Sequence, residues 1–348
     1  VRIGAEASGL QKGLQEAQSR LEAFSRRIKT SAEKFKDLGK AASIGGAAIA
    51  AGLGGAVKTA MDFEAQMSRV RALARASETD FQRLRDTAIE LGAKTVYSAS
   101  EVARGMQILA AAGFDANQII AAIPGILDAA VIAGEDFASV TNIMVAAMSQ
   151  FGLQASDMSH IADVLASAVN ASAITVRDLG YSLKYVGPIA AAAGLSLEEV
   201  CAACAVLGNA GIKAEQAGTT LRAALARLAA PTSEAKRLMN ELGIEVTDAS
   251  GKMLPLREII RNLQTALEGL DEATRIAILR TLFGQEAVSG MLALIEAGPE
   301  LLEELTVQFE NSSGAAEEMS RVMADNLAGS FTQLKSTMES ALITIGTI

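Results

Sequence analysis

Apolar residues recur along the chain at helical rather than strand spacing. Near the N-terminus they follow one another in steps of four and three, with one polar interruption at Ser31. This heptad pattern predicts an amphipathic, coiled-coil-like arm over residues 1–40. Basic residues flank the row on one side without acidic partners on the other, so self-association and packing on the chain's own domain both remain open. The apolar positions are Leu10, Leu14, Ala17, Leu21, Phe24, Ile28, Phe35 and Leu38.

From residue 61 to residue 310 the pattern predicts a core domain of short helices. Capping boxes, in which Ser or Thr is followed three residues later by an acid, mark helix starts at Ser77/Asp80, Ser98/Glu101, Thr175/Asp178 and Ser196/Glu199. We expect prolines to interrupt helices at Pro124 and Pro188. We expect glycines to close turns at Gly92, Gly113, Gly134, Gly152, Gly194 and Gly211.

A weak internal repeat runs through this core. Gly113, Gly152 and Gly194 each precede a bulky apolar residue, and they lie 39 and then 42 residues apart. The period is consistent with stacked helical hairpins, although turns of this kind are also common outside repeat proteins. One β-hairpin is predicted near residues 244–254, where alternating residues surround a turn sequence.

Both ends of the core lead into further helices. Residues 41–60 predict an apolar helix of small residues, and residues 311–348 predict a long C-terminal helix. Its apolar positions again follow steps of four and three: Leu327, Phe331, Leu334, Met338, Ala341 and Ile345. The predicted fold class is all-α: a multi-helix core of short helical hairpins, flanked by long N- and C-terminal helices, with one small β-hairpin.

Composition supports this class and limits the partners. Half of the 348 residues are hydrophobic and only 4% are aromatic, so small side chains allow close helix packing. The net charge of −9 repels nucleic acid phosphates, and no sequence-specific nucleic acid binding is predicted. Residues 11–40 are the exception, since eight Lys or Arg and four Asp or Glu give them a local charge of +4.

Residues that could carry chemistry are few. Cys201 and Cys204 form one C-x-x-C pair without a second pair for zinc, so we interpret them as small core residues in a chain assembled in a reducing cytoplasm. His160, the only histidine, has no Cys or His near it in sequence. The acidic pairs Glu198/Glu199 and Glu303/Glu304 are interpreted as solvated helix faces. We predict no catalytic, cofactor-binding or metal-binding residue and no enzymatic activity.

The segment 41–60 invites two functional interpretations besides helix packing. Gly52, Lys58 and Thr59 match part of a phosphate-binding loop, but Val57 replaces its required glycine and no strand precedes it. A membrane span is the second, because 17 uncharged residues separate Lys40 from Lys58. Close packing of small residues in a soluble protein is favoured over the membrane span.

The ends of the sequence indicate a piece of a longer protein. The chain begins at Val1 rather than Met, it has no recognisable secretion signal, and it stops within an apolar pattern, SALITIGTI.

Several long motifs resemble the N-terminal core region of phage tail tape measure proteins, most closely over residues 61–290. They are MDFEAQMSRVRALA, TVYSASEVARGMQILAAAGFDANQIIAAIPGILDAA, DLGYSLKYVGPIAAAAGLSLEEVCAACAVLGNAGIKAEQAGTTLRAALARLAAP and NLAGSFTQLKSTMESALITIG. The resemblance implies a structural protein of the virion tail that lies in the tube lumen as a multi-copy helical bundle. It implies that the protein sets tail length and leaves ahead of DNA at ejection.

The implied partners are other copies of the chain, the tail tube protein, tail assembly chaperones and tail tip proteins, with assembly in the host bacterial cytoplasm. Glycine and proline interruptions in the core indicate that an extended ruler lies mostly outside these residues. Two alternative functions remain. One is a membrane-active module in which residues 41–60 contact the host membrane and aid DNA passage, and the other is an unrelated helical scaffold or pore-former.

Overall fold

The protein is all-α over the residues that its computed structural model describes, 43–325 and 327–346, with side chains for 58–325, 329 and 332–344. The predicted arm, residues 1–40, lies outside them. Clustering of contacts gives one compact unit, Asp62–Ala341, and assigns the remaining described residues to a second unit. The helices are α1 Ser43–Ala74, α2 Glu78–Lys94, α3 Ala99–Ala111, α4 Ala116–Ala133, α5 Phe137–Phe151, α6 Met158–Asn170, α7 Val176–Ala192, α8 Leu197–Asn209, α9 Ala214–Ala229, α10 Ser233–Leu242, α11 Leu256–Leu267, α12 Glu272–Phe283, α13 Val288–Ala297, α14 Pro299–Glu310, α15 Ala315–Ala324 and α16 Leu327–Gly346.

The predicted helix starts are confirmed. Ser98, for example, accepts a hydrogen bond from the Glu101 amide at 3.3 Å, while the Glu101 carboxylate accepts one from the Ser98 amide at 2.8 Å. Thr175 and Ser196 cap α7 and α8 with the same reciprocal pair of bonds. Ser77 caps α2 through its hydroxyl alone. These caps satisfy amides that have no partner within their own helix.

Five helix ends share one hydrogen-bond pattern at a glycine with positive φ. The amide of the apolar residue that follows the glycine donates to the carbonyl five residues back, as in Phe114 to Leu109 at 3.1 Å and Ile212 to Leu207 at 2.8 Å. Glycine adopts this left-handed backbone without the steric cost of a side chain. The glycines are Gly113, Gly152, Gly194, Gly211 and Gly243.

Helices α3 to α9 pack mainly against helices two places away in sequence. The contacts join α3 to α5, α5 to α7 and α7 to α9 on one side, and α4 to α6 and α6 to α8 on the other. This alternation between two layers is the arrangement expected when helical hairpins stack.

Three predicted interruptions are wrong. Pro124 and Pro188 lie inside α4 and α7, and Gly92 lies inside α2. Both prolines are exposed, so water can reach the carbonyl groups that lack an amide partner. Gly92 is buried against the backbone of Ala99 instead of ending a helix.

Glycines inside helices allow two backbones to approach closely. A methyl group added at Gly125 of α4 would lie 2.7 Å from the Cα atom of Ser159 in α6. One added at Gly218 of α9 would lie 2.4 Å from the carbonyl oxygen of Ser182 in α7. The high content of small residues therefore serves close helix packing within the unit.

The predicted hairpin is present in minimal form. Thr247 and Met253 make an antiparallel bridge, and the Asp248 amide donates to the carbonyl of Lys252 at 2.8 Å. The Asp248 carboxylate accepts bonds from the hydroxyl and amide of Ser250 and from the amide of Lys252. These bonds lower the pKa of Asp248.

The motif MDFE fixes the second half of α1 to α2. Phe63, Met67 and Val70 are fully buried at helical spacing. Glu64 forms an ion pair with Arg85 of α2 at 2.9 Å, and the Arg85 guanidinium also lies 5.9 Å from the centre of the Phe63 ring. Apolar burial and the ion pair thus act together at this point.

Candidate functional site: the C-terminal strap

The cysteine pair lies in the core. Cys201 and Cys204 are free thiols, fully buried in α8. Burial raises the pKa of Cys204 to about 12 and that of Cys201 well above its ordinary value. Neither thiol is available as a nucleophile or metal ligand at neutral pH, since both need the thiolate. The described residues contain no group of three or more metal-ligating side chains.

The single histidine connects two helices. His160 Nε2 of α6 lies 2.6 Å from Glu198 Oε1 of α8. The neighbouring Glu199 caps its own helix and accepts a bond from the Leu256 amide at 3.2 Å. The interpretation of Glu198 and Glu199 as a solvated face is therefore wrong, because α6 and the start of α11 lie against them. Glu303 approaches the guanidinium of Arg257 only at 3.9 Å.

The phosphate-loop-like residues of segment 41–60 lie in a continuous helix. Residues 52–59 are part of α1, so they form no loop that could surround a phosphate. Membrane insertion of residues 41–60 stays a prediction, because the side chains of residues 43–57 lie outside the description. Elsewhere, α4 is long and apolar enough to cross a membrane, but 56% of its 18-residue window is buried. The bent pair α12 and α13 also passes together, across a 115° bend.

A groove of about 540 Å³ separates α5 from α7. Glu135 pairs with Arg177 beside it, and Tyr181 is 42% exposed at its rim. Gln150 Oε1 is buried there without a hydrogen-bond partner in the described structure. The groove has no nucleophile and base within reach of each other, so it carries no catalytic arrangement.

Helices α15 and α16 form the C-terminal strap, and two carboxylates hold α15 to the core. Asp163 of α6 accepts bonds from the amides of Gly314 and Ala316, at 3.1 and 2.8 Å, and so caps the start of α15. Asp128 of α4 accepts a bond from the hydroxyl of Ser320. Burial raises the pKa of Asp128, and the neighbouring acidic groups raise it further against the Ser320 bond.

Helix α16 is held to the end of α2 by its polar face. Gln333 Nε2 donates to the carbonyl of Lys94 at 3.0 Å, and the hydroxyls of Ser336 and Thr337 donate to the carbonyls of Val96 and Ala93 at 3.1 and 3.0 Å. These carbonyls lie at or beyond the last turn of α2, where no further helix amide can pair with them.

Two more contacts extend this polar face. Ser340 donates to the carbonyl of Ile89 at 3.3 Å, and Glu339 accepts a bond from the Ser100 amide of α3 at 3.3 Å. The strap therefore crosses the α2–α3 turn. Sequence analysis missed this face, although hydroxyl and amide side chains at 333, 336, 337 and 340 recur with helical spacing.

The apolar face of α16 points away from these contacts. Leu334 is 57% exposed, Met338 is 59% exposed, and Ala341 is exposed as well. Their steps of four and three are the spacing of a coiled-coil seam. We call these three residues the apolar row. Large apolar side chains in a row outside the core mark a surface for another helix.

Comparison with known proteins places the chain among phage tail components. A family model described as "Phage-related minor tail protein" matches residues 85–284. The chain is 46% identical over 289 residues to the tape measure protein of Pneumococcus phage Dp-1, which covers 83% of this chain and 25% of that protein. No solved structure matches significantly.

Two further relatives carry a similar description. The probable tape measure protein of Escherichia phage P2 is 32% identical over 93% of this chain and 41% of its own length. That of Clostridium phage phiCD119 is 23% identical over 88% of this chain and 33% of its own length. The chain therefore spans between a quarter and two-fifths of the length of these relatives.

Proposed function

The chain belongs to the phage minor tail protein family of tape measure proteins, and from that premise we propose that it helps to set tail length and to template assembly of the tail tube. Its role as a structural component of the virion tail follows from the family. We propose in addition that the role is non-enzymatic, which is supported by the burial of both thiols and by the pairing of His160 with Glu198.

The apolar row carries the proposal. A side chain as large as Leu334 or Met338, left more than half exposed, loses free energy to water until another surface covers it. Helices with this spacing pack alongside similar helices, so we propose that copies of the chain associate through α16 as a bundle. The predicted heptad pattern in residues 1–40 points the same way, although that arm lies outside the described residues.

Helical geometry supplies the ruler. A continuous helix rises about 1.5 Å per residue, so the residue count of a long bundle converts directly into length. The unit Asp62–Ala341 folds back on itself repeatedly and cannot act as such a rod. We therefore place the measuring function in long helices that extend from this unit in the whole protein.

The proposed location is the lumen of the tail tube, after assembly in the host bacterial cytoplasm. The proposed partners are the tube protein, tail assembly chaperones and tail tip proteins. A net charge of −9 is consistent with a protein that leaves ahead of DNA without retaining it.

In-frame deletions in the full-length gene of the phage test the ruler. Removal of 77 residues, or eleven heptads, from the long-helix region should shorten tails by about 115 Å while keeping the coiled-coil register. Tail lengths are measured by negative-stain electron microscopy. A deletion of whole helices inside Asp62–Ala341 is the matched control, and it should impair assembly without proportional shortening. Tails of unchanged length after the long-helix deletion would contradict the ruler function.

A further inference from the structure

The two faces of α16 have opposite chemistry. Its polar face meets the α2–α3 turn, yet up to Ala341 its buried side chains are only Ser336 and Ser340. Docking therefore removes little apolar surface from water. It depends on hydrogen bonds, each of which contributes little net free energy because water offers equivalent bonds.

Such a helix depends on its surroundings. Most of the stability of a protein helix comes from packing of its apolar face rather than from propensity, and the apolar row of α16 has no cover within the described unit. Only the helical form brings Leu334, Met338 and Ala341 into one line. Contact with the α2–α3 turn and contact through the row both require that form, so each favours the other.

A second copy of α16 fits the row best. The only charged residues of this helix are Lys335 and Glu339, and Glu339 already accepts a bond from the Ser100 amide. Two such rows can meet without a cluster of like charges. Their equal spacing of apolar residues also allows the side chains to interdigitate.

We infer that α16 couples association of the copies to the rigidity of the α2–α3 turn, residues 89–100. When a second copy covers the row, the helical form of α16 is stabilised and its polar face holds the carbonyls of the turn more firmly. The strap is then a rigid connection between the bundle and the core. This inference rests on the proposed self-association, to which it adds a consequence inside the core.

Hydrogen exchange of the full 348-residue chain tests the coupling, with sedimentation velocity on the same samples. As the concentration rises through the association range, amide exchange in residues 89–100 should slow by about tenfold. In the double variant Ser336→Ala, Thr337→Val, association should persist while this slowing is lost. In the double variant Leu334→Glu, Met338→Glu, association itself should be lost. Lys335→Ala is the matched control, and it should behave as the unaltered chain.

The outcomes separate the two ideas. A chain that sediments as a monomer at every concentration would contradict the proposed self-association. A chain that associates with no change in exchange at residues 89–100 would overturn the coupling alone. So would a concentration-dependent slowing that survives in the variant without the two hydroxyls. If that variant does not fold by circular dichroism, Ser336→Ala alone provides the same comparison with a partial loss of slowing.

Discussion

Close packing of α7 on α9 makes Gly218→Ala a sharp test of the fold. The added methyl group would lie 2.4 Å from the carbonyl oxygen of Ser182 and 2.9 Å from its Cα atom. Both atoms belong to the backbone of a helix whose Ser182 hydroxyl also donates to the Ala214 carbonyl at 2.8 Å. The helices would have to separate locally by about 1 Å to restore ordinary van der Waals contact.

Two opposing effects set the magnitude. Alanine is a better helix former than glycine by about 1 kcal/mol, which favours the variant. Overpacking costs about 1–3 kcal/mol, and contact with a backbone atom that cannot rotate away places Gly218 at the upper end. We therefore expect Gly218→Ala to lower the free energy of unfolding by about 2 kcal/mol.

Gly187→Ala in α7 is the matched control. A methyl group there would lie 2.1 Å from Gln150 Oε1, which is the far end of a flexible side chain without a hydrogen-bond partner in the described structure. Gln150 can turn towards water, so the gain in helix propensity should dominate. We expect this variant to change the free energy of unfolding by less than about 1 kcal/mol, in the stabilising direction.

Urea denaturation followed by circular dichroism measures both variants. Because each replaces glycine by alanine, their effects on the unfolded chain are the same, and the difference reports on the folded packing. An equal loss of stability in the two variants would refute the distinction between rigid and flexible neighbours. A Gly218→Ala variant as stable as the original chain would refute the close approach of α7 and α9.

Two further predictions concern buried ionisable groups. Since the pKa of Asp128 is raised in the fold, its ionised form costs stability at neutral pH. Asp128→Asn, which keeps an oxygen for the Ser320 hydroxyl, should raise the urea midpoint there; the advantage should vanish below about pH 4, and an advantage independent of pH would contradict the assignment. Cys201 and Cys204 should resist iodoacetamide in the folded chain and react fully in urea, as followed by mass spectrometry, whereas rapid labelling of the native protein would show that the thiols are accessible.

Local signals in the sequence predicted the helix ends well. The Ser98 cap and the turns at Gly113 and Gly194 depend on residues within five positions of one another, so the relevant chemistry can be read directly from the sequence. Pro124 failed as a boundary because its effect depends on exposure, which is a property of the folded chain. Its helix continues because the side that lacks a hydrogen bond faces solvent.

Contacts across long sequence separations could not be predicted. Asp163 caps a helix that begins 151 residues later in the chain, at Gly314. Nothing near Asp163 in sequence distinguishes it from an exposed acid. The apolar row of α16 was predicted from its spacing, but spacing alone does not tell whether the row faces the core or solvent.

The polarity of α16 settles that question and links the fold to the proposed function. Five side chains on its polar face bind backbone groups of the α2–α3 turn, which fixes the rotation of the helix about its own axis. The apolar row must then point outward, whatever the hydrophobic effect on an isolated helix would favour. A helix that served only to close the core would place Leu334 and Met338 inside and its serines outside. The reverse arrangement keeps the apolar row available while the core stays folded, as a subunit that joins a helical bundle after folding requires.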